Sequence, residues 1–89
     1  MTSAAISPGA VKLSREALGH VLDLDADHLR ADTPLADIGA DSVAVIVFGD
    51  VVERLAREQL GINIEVDNDA LRTARTVGDL ASALPPALP

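Results

Sequence analysis

Between residues 9 and 22 the apolar positions Val11, Leu18, Val21 and Leu22 recur near helical spacing, with Ala17 on the same side, which predicts a first amphipathic helix. A longer stripe through Val45, Phe48, Val52 and Leu55 predicts a continuous helix from Ser42 to about Gln59, with Gly49 beside the stripe where another helix can come close. At 1.5 Å per residue that span is about 27 Å long. Asp41 precedes it as an N-cap whose carboxylate can accept from first-turn N–H groups, and Gly61 is its natural stop. Farther on, Thr76 and Asp79 have capping-box spacing, predicting a helix with Val77, Leu80, Ala81 and Leu84 facing inward. A short helix from Asn68 to Thr73 comes before it.

The connections between these stripes read differently from one another. In residues 23–41, Leu24, Leu29, Leu35 and Ile38 stand singly among aspartates, as anchors for a long loop. Pro34 biases Thr33 toward extended geometry and Gly39 permits a turn, so the chain is aimed at Asp41. After Gly61, Ile62-Asn63-Ile64-Glu65-Val66 alternates like a strand, but nothing is available to pair with it, so it reads as an extended connector. Residues 1–7 read as a frayed start, and Pro85-Pro86-Ala87-Leu88-Pro89 as a tail that cannot continue a helix. The expected fold is all-α, a small four-helix bundle of three longer helices and one short one. Residues 1–84 form its domain and 85–89 a Pro-rich tail.

Composition narrows the function. Phe48 is the only aromatic, so Leu, Val, Ile and Ala must fill the core, with Phe48 among them. The net charge of −7 repels nucleic acid and anionic lipid. Six of the acids, Asp23, Asp25, Asp27, Asp32, Asp37 and Asp41, fall in one segment against Arg30 alone. The alternation of Asp23, Asp25 and Asp27 resembles calcium ligation, but the loop lacks the glycine and glutamate of an EF-hand, so it reads as a solvated acidic face and no metal is expected. No apolar run reaches the length of a membrane span and no leader pattern opens the chain, which predicts no membrane contact and a cytoplasmic location. The start at Met1 reads as a discrete subunit. With no cysteine, the chain has no disulfide, no thiolate metal site and no thiol nucleophile.

Ser42 stands where a turn becomes a helix. Free backbone N–H groups and the helix dipole favour an anion there, so the position suits a phosphate ester. A nucleophilic enzyme using His20 or His28 is the rival. Gly39-Ala40-Asp41-Ser42-Val43 lacks the second glycine of a Gly-x-Ser-x-Gly elbow, and so small a domain has little room for an oxyanion hole. No catalytic residue is expected. His20 reads as half-exposed on the first helix, and His28 as a loop residue. An unmodified helical adaptor fits the composition equally well.

The order of elements resembles the acyl carrier proteins of fatty-acid and polyketide synthesis over residues 11–84. Asp37-Ile38-Gly39-Ala40-Asp41-Ser42 looks like that family's Asp-Leu-Gly-x-Asp-Ser attachment motif, with Ile38 replacing leucine. Thr33-Pro34-Leu35 and Thr76-Val77-Gly78-Asp79-Leu80 look like family segments as well. The resemblance implies that Ser42 accepts 4′-phosphopantetheine from coenzyme A, added by a separate Mg²⁺-dependent phosphopantetheinyl transferase that Asp41 helps to dock. Ser42 is then an attachment point, and the missing thiol arrives on the prosthetic arm. Implied partners are a ketosynthase, an acyltransferase or other acyl-processing enzymes, with the carrier itself a monomer.

Against the family pattern, Val43-Ala44-Val45-Ile46-Val47 stands where many members have leucine and then acids. Val43, Ala44 and Val47 are expected to be exposed and to dock partners through apolar contact more than salt bridges, with Asp37 as a further docking residue. Ile46, Val52, Ile62 and Leu80 are expected around any cavity, and Asp23 occupies a position where relatives often have glycine. Peptidyl carriers share the bundle, but the acidic Gly-Ala-Asp-Ser start favours an acyl cargo. The expected function is a free-standing acyl carrier of polyketide or related specialised metabolism.

Overall fold

In the computed structural model, residues 8–85 are described, and the expected frayed start and residues 86–89 of the expected tail lie outside them. Helix α1, Pro8–Leu22, opens with proline at its first position, where the missing N–H costs nothing. It buries Ala10, Leu13, Ser14, Ala17 and Leu18, a stripe at i, i+3, i+4, i+7 and i+8. The expected face is therefore corrected by a rotation: Ala17 and Leu18 are central, whereas Val11, Val21 and Leu22 are half-buried at its edges. Ser14 displaces them because its side chain is small; its Oγ is fully buried with no hydrogen-bond partner. Asp23 ends the helix at φ 56°, a left-handed conformation that glycine adopts freely and aspartate tolerates. Leu24 N–H then closes the last turn on Gly19 O at 3.0 Å.

Helix α2, Ser42–Leu60, buries Val45, Phe48, Gly49, Val52, Leu55 and Ala56, the expected stripe, with Phe48 completely enclosed. Gly61 stops it at φ 68°. Helix α3, Asn68–Thr73, has the expected bounds; Asp67 caps it by accepting from Asp69 and Ala70 N–H, and Leu71 reaches the core. Helix α4, Val77–Ser82, carries the expected capping box: Thr76 Oγ1 accepts from Asp79 N–H at 3.1 Å, while Asp79 Oδ2 accepts from Thr76 N–H at 3.2 Å. Arg75 N–H donates to the same carboxylate oxygen at 2.9 Å. Chiefly that bond, with the two to Thr76, holds the Asp79 carboxyl below its ordinary range against a desolvation that raises it.

Val77, Leu80, Ala81 and Leu84 all face inward as expected. Helix α4 is nevertheless as short as α3. Ala83 and Leu84 N–H turn back onto Leu80 and Ala81 O, three residues behind, and Pro85 bars continuation. The architecture is the expected small all-α four-helix bundle, but with two long helices and two short ones in place of the three longer and one short expected, and no strand among the described residues.

The long connection contains two single-turn 3₁₀ helices, Ala26–His28 and Leu35–Ile38. Leu29 and Leu35 are buried anchors and Ile38 is half-buried. Leu24 is 39% exposed and does not anchor; directly after the left-handed turn, its N–H rather than its side chain ties the loop down. The strongest ties run to the opposite end of the chain. Leu35 N–H donates to Arg75 O at 2.9 Å, Val77 N–H to Thr33 O at 3.1 Å, and Gly78 N–H to Ala31 O at 2.7 Å, around an antiparallel bridge between Pro34 and Thr76. A Cβ on Gly78 would lie 2.9 Å from Ala31 O, so this approach requires glycine. The connector at 62–67 has no regular secondary structure and forms no strand, and Asp67 at its end is extended. Val66 is buried, and Asp67 N–H holds to Ala83 O at 3.0 Å.

Candidate functional site

The clamped loop delivers Ser42. After Leu35–Ile38, Gly39 turns at φ 74° and Ala40 N–H returns to Leu35 O at 3.1 Å. Asp41 is extended, its Oδ1 accepts from Ala44 N–H at 2.9 Å, and its carbonyl takes the first helical bond, from Val45 N–H at 3.0 Å. Ser42 is thus the first helical residue, with an exposed side chain beside N–H groups that a helix cannot satisfy internally. The positive end of the dipole of a 19-residue helix lies under its hydroxyl.

Ser42 also lies on the lining of an open groove of about 1270 Å³ between α2, α3 and the segment from Pro34 to Asp41. Its apolar lining includes Leu35, Val45, Gly49 and Leu71. Gly49 lets α3 come in close, as expected, for a Cβ there would sit 3.3 Å from Leu71 Cδ1. Acids Asp50 and Glu53 from α2 and bases Arg72 and Arg75 from the α3 side complete the lining, with Arg72 paired to Asp69 at 2.5 Å.

Of the four residues expected around a cavity, Ile46 lines the groove. Val52 and Leu80 are instead fully buried in the core, and Ile62 lies beyond the end of α2. On α2 the lining residues Ser42, Val45, Ile46, Gly49 and Glu53 share one side at helical spacing, though only Ile46 among them was expected at a cavity. Sequence reasoning missed Asn68 and Arg72 of α3 and Arg75 just after it, none of which has a local mark of facing Ser42.

The other candidates are scattered. His20 is exposed in the last turn of α1, and His28 is exposed in the loop, 3.9 Å from Asp25; neither lines the groove. Asp37 is exposed in the turn before Gly39. Val43 and Val47 are exposed, as expected, while Ala44 is half-buried because it turns partly toward the bundle. Among the described residues no group of His, Asp and Glu is placed to hold a metal, and no helix is long and apolar enough to cross a membrane.

Comparison with known protein families matches residues 15–84 to the family described as Phosphopantetheine attachment site. The chain belongs to the phosphopantetheine-binding carrier family. Comparisons with curated proteins and with solved structures give no match. The match takes in all of α2, α3 and α4 and the whole lining of the groove. Phosphopantetheine-binding domains are carriers without catalytic machinery of their own; 4′-phosphopantetheine is attached to them covalently, and they work with a phosphopantetheinyl transferase and acyl-processing enzymes. The residues here fit such a group. An exposed hydroxyl at a helix N-terminus favours the phosphodiester, and the groove beside it offers both apolar and polar surface.

Proposed function

We propose that Ser42 is the attachment residue of this carrier and that the chain holds acyl intermediates of polyketide or related specialised metabolism, passing them between enzymes. The observation that carries this reading is the Asp41-Ser42 start of α2, capped by Asp41 and open to solvent inside the matched segment. Attachment supplies the thiol, and so the thioester chemistry, that a chain without cysteine lacks. Asp41 keeps the first turn wound and presents its carboxylate to the transferase. Leu35 and the Gly39 turn hold Ser42 at the mouth of the groove. Asp37, Val43, Ala44 and Val47 flank the serine as docking residues for the transferase, ketosynthase and acyltransferase.

In this reading the chain has no catalytic residue, works as a monomer in the cytoplasm, and ends its domain at residue 84, before a Pro-rich tail. Its benefit is effective concentration: a tethered intermediate meets each docked enzyme without tight binding. Incubation with coenzyme A and a broad-specificity transferase should add one phosphopantetheinyl group to the intact mass, and Ser42→Ala should add none. Unchanged wild-type mass, or loading of Ser42→Ala, refutes the assignment. The acyl mass on protein purified from its host separates the finer readings: an oxygenated chain supports polyketide work, a saturated chain fatty-acid synthesis, and an aminoacyl group a peptidyl carrier.

A further inference from the structure

We propose that Arg75 is the counter-ion of the phosphodiester formed on Ser42 and so draws the phosphopantetheine arm to the α3 side of the groove. This rests on the reading of Ser42 as the attachment residue and names a second residue that receives the group. The helix end offers the phosphate little on its own. Asp41 Oδ1 already takes the Ala44 N–H and Asp41 O the Val45 N–H, so the N–H groups of Ser42 and Val43 are what the first turn has left for an anion. The Asp41 carboxylate, one residue before the serine, repels that anion. With Asp50 and Glu53 it makes three acids on the groove lining, against Arg72 and Arg75. A phosphodiester adds a further negative charge, which is offset by a cation with nothing else to hold.

The two arginines differ in this respect. Arg72 is engaged, its Nη2 donating to Asp69 Oδ1 within α3. Arg75 is exposed, and its guanidinium has no hydrogen bond or ion pair among the described residues. Its charge is the smallest of the influences on the Asp79 carboxylate, whose Oδ2 accepts instead from the backbone N–H groups of Arg75 and Thr76. The Arg75 main chain, by contrast, is fixed on both sides: its N–H donates to Asp79 at 2.9 Å and its O accepts from Leu35 N–H at 2.9 Å. The second bond leads on toward the serine. Leu35 O accepts from Ala40 N–H at 3.1 Å, and Ala40 stands two residues before Ser42, at most about 7 Å away between Cα atoms. An unengaged guanidinium on a fixed stem thus shares the groove with the attachment hydroxyl. Its planar fork of donors matches two phosphate oxygens, where an ammonium would act as a point charge.

Intact mass first shows whether the carrier takes up the group at Ser42; no uptake defeats the Ser42 reading and this pairing together, and every later outcome bears on the pairing alone. ³¹P NMR of the loaded carrier, folded and in urea, then gives the shift that folding imposes on the phosphodiester. Arg75→Gln should lose most of that shift and Arg75→Lys a smaller part. Arg57→Gln, an equal change of charge outside the groove lining, should lose almost none. In ¹⁵N-labelled wild type, loading should move the Arg75 Nε–H signal and leave that of Arg57 in place. Urea midpoints of the unloaded forms check folding: Arg75 is tied to Asp79 and Leu35 through its backbone, so Arg75→Gln should stay close to wild type. The pairing is overturned if loaded Arg75→Gln keeps the wild-type shift, if Arg72→Gln abolishes it where Arg75→Gln does not, or if the Arg75 signal is the same before and after loading. An Arg75 signal moved by Asp50→Asn or Glu53→Gln in the unloaded carrier, and not by loading, would assign the guanidinium to an acid across the groove and overturn it equally.

Discussion

Of the connections between the α-helices, the two longest, 23–41 and 61–67, are held in opposite ways. The first is bound side chain and backbone: Leu29 and Leu35 are buried, and three backbone hydrogen bonds at 2.7–3.1 Å fasten residues 31–35 to residues 75–78. The second has one buried residue, Val66; Gly61 and Ile62 N–H only close the end of α2, Asp67 O takes the first bond of α3, and the one backbone tie to a distant part of the chain is Asp67 N–H to Ala83 O. The difference follows what each must deliver. The first ends at Asp41 and Ser42, where an error of an ångström would move the hydroxyl relative to any enzyme acting on it; the second only has to reach α3.

The contrast breaks most visibly at Leu35. Leu35→Ala should cost about 2–5 kcal/mol, because the cavity opens beneath the turn that carries Gly39. Urea denaturation should show it, and loading of Ser42 should slow in the same variant. Gly78→Ala comes next, at about 1–3 kcal/mol, since its Cβ must push Ala31 O away and so loosen the clamp. Urea midpoints of this variant and wild type give the comparison.

Asp79→Ala removes the acceptor for both Arg75 and Thr76 N–H and should cost about 1 kcal/mol at neutral pH. The folded-state pKa of Asp79 is lowered by those bonds. Its contribution is therefore complete above the ordinary aspartate value near pH 4 and is lost as pH falls through the lowered one. Thermal unfolding of the variant and wild type should converge in acid. The smallest effect belongs to the other connection. Two glycines inserted between Asn63 and Ile64 should cost under about 0.6 kcal/mol, which thermal melts can bound. If that insertion destabilises as much as Leu35→Ala, the two connections do not differ as described.

What was legible in the sequence was whatever is written locally. The α2 stripe, the Asp41 cap, the Thr76–Asp79 box and the bounds of α3 depend on residues within a turn or two of each other, and each is found in place. The face of α1 was misjudged because Ser14 is a polar residue spent in the core, and counting apolar positions passes over it. Leu24 was expected to be buried on its type alone, yet the left-handed turn at Asp23 carries it outward. Nothing local marks the bridge between Pro34 and Thr76, which joins positions far apart in the chain. At the site, the Asp41-Ser42 helix start and the place of Ile46 beside a cavity were expected from the sequence. Arg72 and Arg75 were not, since only the close seating of Leu71 against Gly49 brings α3, and Arg75 just past its end, to the groove.

Helix α2 extends about 27 Å from Ser42 to Leu60, nearly the 32 Å long dimension of the molecule. Leu60 is exposed at the far pole, and the native chain offers no competing sulfur nucleophile. A fluorophore installed through Leu60→Cys before loading would sit alone, at a known separation from the serine, and could follow tumbling and encounter while the working end stays uncovered.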